Sequence, residues 1–312
     1  MTIKFYWRLD PASEPDRAEP SARKQTLARD VRPAALNRYD YYAQIARAAA
    51  LTHFDGLFVG YDPDADDSLI IAASVARATP DLLLVPEFPA SVGSAVYSAK
   101  EAASFQRNVH QRLGWAIIPD LGSDQRARLA DPLPDDALIE RAREFLTVAR
   151  GVHNQHPFDF KGEHFEVQRG GFTSPLDRVA FPPVFLRGES EEALELSAAQ
   201  GDIHLFEAPP RGELRNRIEQ LDRSALARDR KVEFGIILQI AARELEVDVP
   251  GESAGTVVGT YDSVADQLAE LAAMGVTHFV LSGSPSFEEA NRVGQFLLPR
   301  LRQRAPSPRE TA

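Results

Sequence analysis

The strongest constraint on the fold of this chain is a rhythm. Short apolar runs rich in Val, Ile, Leu and Phe alternate with stretches whose apolar residues recur at helical spacing. A short apolar run bounded by turn residues suits a strand buried on both faces, and recurrence at i, i+3 and i+4 suits a helix with one buried face. The runs fall at residues 3–9, 56–61, 82–88, 113–119, 183–188, 202–208, 232–242 and 277–283. Helical patterns follow them: Tyr42, Ile45, Ala46 and Ala49; residues around 68–78; the stretch "SAVYSAKEAASFQR"; 135–150; 190–200; 212–227; Val264, Leu268 and Leu271; and a last helix in which Ser286 and Glu289 stand at capping-box spacing. Eight strands, each followed by a helix, predict an α/β fold of the (β/α)8 TIM-barrel type. An open doubly wound sheet is the alternative, but it rarely needs this many regular units. No G-x-G-x-x-G follows the first strand, which weakens a dinucleotide-binding reading further.

Two segments break the rhythm. Residues 10–37 are rich in Pro, Arg and Asp and read as a long loop. The stretch "FDFKGEHFEV", 158–167, alternates around Lys161-Gly162 and reads as a small hairpin insertion before strand five. No low-complexity linker interrupts the chain, so a single domain over 1–304 is expected, with 305–312 as a frayed tail. Strand five should end at Arg187 and strand eight near Ser282.

Composition narrows the function classes. Net charge is −11, from 46 acidic and 35 basic residues, which argues against a nucleic-acid partner. There are no cysteines, so disulfides, thiolate metal sites and a cysteine nucleophile are excluded. The opening "MTIKFYWRLD" enters a strand at once, with no basic n-region and apolar core of a signal peptide. No apolar run is long enough to span a membrane. These readings together predict a cytoplasmic location and no membrane partner.

The C-terminal stretch "GVTHFVLSGSPSFEEANRVGQFLLPRL", 275–301, resembles the corresponding end of the bacterial luciferase-like flavin-dependent monooxygenases, in particular the alkanesulfonate monooxygenase branch. The likeness continues in "DYYAQIARAAALTHFDGLFVG", "SLIIAASVARATPDLLLV", "FDFKGEHFEV" and "PPVFLRGESEEALELSAAQGDIHLF", and so spans nearly the whole chain. The resemblance implies a (β/α)8 barrel that takes reduced FMN from a separate flavin reductase and, with O2, oxidises a small-molecule substrate. It also implies a homodimer, or a heterodimer with a related barrel, formed through the Ala-rich helices of roughly 66–108. The site would lie at the C-terminal ends of the strands.

Residue by residue, the resemblance points to positions whose side chains have changed. Where the branch carries an arginine and then a histidine on strand seven, this chain has Ile237 and Gln239. A tyrosine after strand eight is replaced by Ser284, and a tryptophan after strand six by Glu207 or Ala208. Ala65 stands nearest a cysteine of the loop after strand two, and the histidine expected after strand one is missing from "WRLDPAS". The loop after strand five, where the resemblance implies backbone N–H groups for the FMN phosphate, reads Arg187, Gly188, Glu189, Ser190. Glu189 there would repel a phosphate, and Arg187 is expected either to pair with the phosphate or with Glu189. The long mobile segment that the branch places after strand seven is replaced by the short 243–261, so the basic loop 17–32 is a candidate cover.

Other constellations are weaker. His153, His156 and His164 cluster in sequence near the hairpin and read as a surface loop; no metal site is expected. His204 and His278, on strands six and eight, read as core or helix-facing histidines. Arg8, Glu87, Asp120, Glu207 and Gln239 are brought towards one face by strand ends and would give an acidic polar pocket, open to carboxylate-based hydrolysis or to sugar or amine binding. Three functional readings follow: an FMN-dependent monooxygenase with an altered substrate site, a non-catalytic barrel that binds no cofactor and serves as a partner or scaffold subunit, and a binding barrel with an acidic mouth.

Overall fold

The computed structural model describes residues 2–12, 38–207, 210–249 and 255–304. The basic loop 17–32, Ala208 and the tail 305–312 lie outside the described residues.

The elements follow the expected alternation. They are β1 (Lys4–Leu9), α1 (Arg38–Leu51), β2 (Gly56–Val59), α2 (Ser68–Val75), β3 (Leu83–Pro89), α3 (Ala95–Asn108), β4 (Trp115–Ile118), α4 (Ser123–Arg128) and α5 (Leu138–Asn154). A hairpin of β5 (Phe158–Lys161) and β6 (Glu166–Gly170) precedes β7 (Val184–Arg187), α6 (Glu191–Gln200), β8 (Ile203–Phe206) and α7 (Arg211–Leu226). The chain continues through β9 (Glu233–Arg243), β10 (Thr256–Thr260), α8 (Tyr261–Ala273), β11 (Val276–Ser282), α9 (Ser286–Arg292) and α10 (Leu298–Arg304). The large sheet has the order β10-β9-β11-β1-β2-β3-β4-β7-β8, and β8 pairs in turn with β9. Eight strands thus close on themselves with a helix after each, the (β/α)8 barrel. β7 ends at Arg187 and β11 at Ser282, as the sequence predicts.

The chain divides into two compact units, one of residues 1–82 with 237–312 and one of residues 83–236. In the second unit, parallel register pairs Glu87 with Ala116, Ala116 with Phe185, and Arg187 with Leu205. Paired residues of a parallel ladder share a face of the sheet. Phe88 and Trp115, one residue out of step with these, turn instead to the helices. Their rings meet at 5.4 Å, and Trp115 lies 6.1 Å from Phe145 of α5. The hairpin is fastened to this layer by Glu144, whose carboxylate accepts the backbone N–H groups of Glu163, His164 and Phe165 at 2.6, 2.8 and 3.0 Å. Gly151 on α5 leaves room for the Phe158 ring, which a Cβ would meet at 2.1 Å.

In the first unit, β1 runs parallel between β11 and β2. Tyr6 and His278 face away from the helices, with the Tyr6 hydroxyl 3.0 Å from His278 Nδ1. Trp7 faces the helices and donates its indole N–H to Ser286 Oγ at 3.0 Å.

Two expectations are corrected, and one segment holds a strand that the sequence pattern did not show. The last helix has no capping box: Ser286 lies inside α9 with Pro285 at the cap, its hydroxyl is taken by Trp7, and Glu289 is drawn onto Arg243. His153 is not on a surface loop, because α5 continues to Asn154; it is buried, with Nε2 2.8 Å from the Val179 carbonyl. The segment 243–261 contains a ninth strand of the large sheet, β10, paired in parallel with the second half of β9 from Thr256–Gln239 to Thr260–Arg243.

Candidate active site

In the second unit, four charged groups stand where strands end: Glu87 on β3, Asp120 after β4, Arg187 on β7 and Glu207 after β8. The register explains Glu87 and Arg187, which occupy the face turned away from the helices. Arg187 Nε lies 3.1 Å from the buried Glu87 carboxylate, and Nη1 donates to Glu207. Asp120 is accessible to solvent, yet enough protein surrounds it that burial raises its carboxyl above the ordinary aspartate value; Arg187 opposes that rise and Glu207 adds to it.

The β7–α6 junction is built from its sequence. Gly188 has φ +127°, a conformation closed to most residues, and a Cβ there would come within 2.7 Å of Ala193 Cβ and 3.4 Å of Asp120 Oδ2. Ser190 caps α6, accepting the Ala193 N–H at 3.1 Å. Arg187 does not pair with Glu189, one of the two pairings expected of it. The strand points Arg187 towards Glu87 and Glu207, while the turn at Gly188 sends Glu189 the other way. Arg217 of α7 receives it, with Nη1 3.2 Å from the Glu189 carbonyl and Nη2 3.5 Å from its carboxylate.

His204 faces the helix layer, its Nδ1 2.8 Å from Ser197 Oγ. Complete burial, with some help from the charge of Arg217, pushes it down to about 3. It is a neutral core histidine and takes no part in the strand-end cluster.

In the first unit, Arg8 Nε donates to Asp10 at 2.6 Å and the guanidinium lies over the Phe58 ring at 5.6 Å. Gln239 is exposed and its Oε1 accepts from Thr256 Oγ1 at 3.3 Å; Ser284 is exposed beyond β11. The buried Glu289 accepts two hydrogen bonds from Arg243, at 2.9 and 3.0 Å, and pairs with Arg292. The acids after β2 serve local structure: Asp67 caps α2, Asp66 accepts the Tyr42 hydroxyl and Asp62 accepts the Asp64 N–H. Among the described residues, no group of His, Asp and Glu is arranged to hold a metal ion, and no helix is long and apolar enough to cross a membrane.

Residues 17–250 match the luciferase-like monooxygenase family. The chain belongs to that family. Solved structures share its fold over nearly the full length. An EDTA monooxygenase from Chelativorans sp. BNC1 is 16% identical with a TM-score of 0.82, covering 99% of this chain and 95% of that one. A riboflavin lyase, solved with modified FMN and riboflavin, is 16% identical with a TM-score of 0.80, covering 98% and 93%. A coenzyme F420-dependent tetrahydromethanopterin reductase from Methanopyrus kandleri is 13% identical with a TM-score of 0.77, covering 96% and 100%. The family fold therefore carries more than one cofactor class.

Among the positions the resemblance marks, Arg187, Gly188, Glu189, Ser190 and Glu207 gather in the second unit, and Gln239 and Ser284 lie in the first. Sequence reading found these strand ends but missed Arg217 and the Arg243–Glu289 pair. The charge-rich "ELRNRIEQ" of α7 gives no local sign that one arginine serves a loop 28 residues earlier.

Proposed function

We propose that this chain is a flavin-dependent monooxygenase that takes reduced FMN from a separate reductase and, with O2, oxidises a small organic substrate. The observation that carries the reading is the β7–α6 junction. Gly188 makes a turn too tight for any side chain, which brings the backbone close to α6, and Ser190 caps a ten-residue helix whose first N–H groups suit a phosphate. Four carboxylates stand nearby, Glu189, Asp120 and the first-turn Glu191 and Glu192 of α6, and two of them are partly offset. Glu189 lies 3.5 Å from Arg217, a guanidinium it shares with Glu213 at 2.6 Å, and burial raises Asp120 towards its neutral form. The residues present therefore fit an FMN phosphate better than the bare sequence "RGESEEA" suggests.

Bound reduced flavin would supply the electrons for oxygen chemistry. The chain's own part is to seat and orient. Gly188, Ser190 and the α6 backbone would hold the phosphate, with Arg217 restraining Glu189. Asp120 is the strand-end acid best suited to hold a proton, because its carboxyl is raised by burial. Gln239 and Ile237 offer neither a titrating group nor a positive charge, so the substrate is expected to differ from an alkanesulfonate.

A second reading, the non-catalytic barrel, is favoured by one observation: the Arg187 guanidinium is held by carboxylates on two sides. Anaerobic titration with reduced FMN, with oxidised FMN as control, separates the two. Micromolar binding of the reduced form supports the enzyme; no binding at high micromolar flavin removes it and leaves the scaffold. The same titration with reduced F420 tests the other cofactor class of the fold.

A further inference from the structure

The two partners of Arg187 are not equivalent. The Glu87 side chain is 2% exposed and that of Glu207 is 51% exposed, with Arg187 between them at 26%. A buried carboxylate stripped of its counter-ion is strongly destabilised, so of the two contacts the one to Glu87 is the costlier to break. A half-exposed pair is held by little, because water and salt compete for both groups. One edge of the guanidinium is therefore anchored in the protein, and the other faces solvent behind an exchangeable carboxylate. A guanidinium offers a fork of donors to a carboxylate, a sulfonate or a phosphate alike.

We propose that Arg187 is an anion-accepting group whose ligand position is held by the protein's own Glu207 carboxylate, which an incoming anionic group displaces. With Glu87 buried beneath it and Asp120 close by, Arg187 faces an excess of negative charge, and a ligand anion enters only when Glu207 leaves. The site shares its strand ends with the flavin reading and rests on that reading for which molecule brings the anion, the cofactor's phosphate or an anionic group on the substrate.

The test uses the full chain and inorganic phosphate at low ionic strength, read by titration calorimetry. Glu207→Gln is expected to bind phosphate about three- to fivefold more tightly than the parent, the scale of an exposed ion pair. The same substitution on a Glu87→Gln, Arg187→Gln background, which removes the buried pair together and so strands no charge, is expected to give no gain. Unchanged phosphate affinity in a folded Glu207→Gln protein, or a gain that survives without Arg187, overturns the proposal. FMN and riboflavin, which differ in the phosphate, then name the source. A gain for FMN and none for riboflavin assigns the anion to the cofactor, and a gain for ethanesulfonate without one for FMN assigns it to the substrate. If no flavin binds to any variant, the flavin reading fails while the phosphate comparison still decides the role of Arg187.

Discussion

Glu189 illustrates how a single side chain changes meaning once its partner is known. Alone at a helix N-terminus it would answer the helix dipole and repel a phosphate. Held by Arg217 at 3.5 Å, and half-exposed, it opposes a phosphate weakly. Glu189→Ser is therefore expected to tighten FMN binding only about two- to fivefold, with Arg217 staying on Glu213. Weaker binding by the variant would show that the carboxylate organises the loop. His204 makes a second case. Its folded-state value, about 3, lies below the ordinary 6.5. The unfolded chain therefore takes up a proton that the folded chain refuses. The stability that neutral His204 secures is complete above pH 6.5 and declines as pH falls towards 3, by about 1.4 kcal/mol per unit. Urea unfolding at pH 7 and pH 5 should show the parent losing about 2 kcal/mol more than His204→Gln. Equal losses would mean the ring is protonated in the folded state.

At the scale of elements, the β9–β10 extension is the part that departs most from plain strand–helix alternation. β9 has 11 residues; Glu233–Ile236 pair with β8, and Gln239–Arg243 pair with β10. Arg243, at its end, is fastened to the buried Glu289 of α9. Removing one partner of a buried ion pair costs more than replacing both, since it strands a charge. Arg243→Met is expected to destabilise by about 2 kcal/mol, less than a full stranding because Arg292 remains on Glu289. Arg243→Met with Glu289→Leu should recover most of that. Denaturant unfolding measures both, and a loss near zero in the single variant would remove the pair as the anchor of this extension.

At the scale of the whole molecule, we propose that the chain self-associates through its Ala-rich helices. Within the second unit, Val92 before α3 and Tyr97 on α3 are large apolar side chains left exposed. Isolated exposed apolar residues are ordinary, but two so close together in the stretch expected to form the interface suit a partner. Light scattering at high micromolar concentration should give twice the chain mass, and Tyr97→Glu should reduce it to one. A parent protein that scatters as a monomer would refute the proposal.

The sequence by itself determined the strands, the helices and hence the barrel, because apolar periodicity is written locally and eight buried strands with eight helices leave few ways to close. It also placed Arg187, Gly188 and Glu207 at strand ends, since position along a strand is a matter of counting; Gln239, expected at a strand end, stands instead inside β9, which runs on to Arg243. β10 escaped because "TVVGT" is half-buried throughout and lacks the apolar run of a strand covered on both faces. Partners were decided only by tertiary structure. Arg187 chose Glu87 and Glu207, Glu189 chose Arg217, and Ser286 chose Trp7 over its neighbour Glu289. An ion pair or hydrogen bond depends on which face each backbone register presents and on which groups the fold removes from water. Neither is fixed until residues as much as 279 positions apart are brought together.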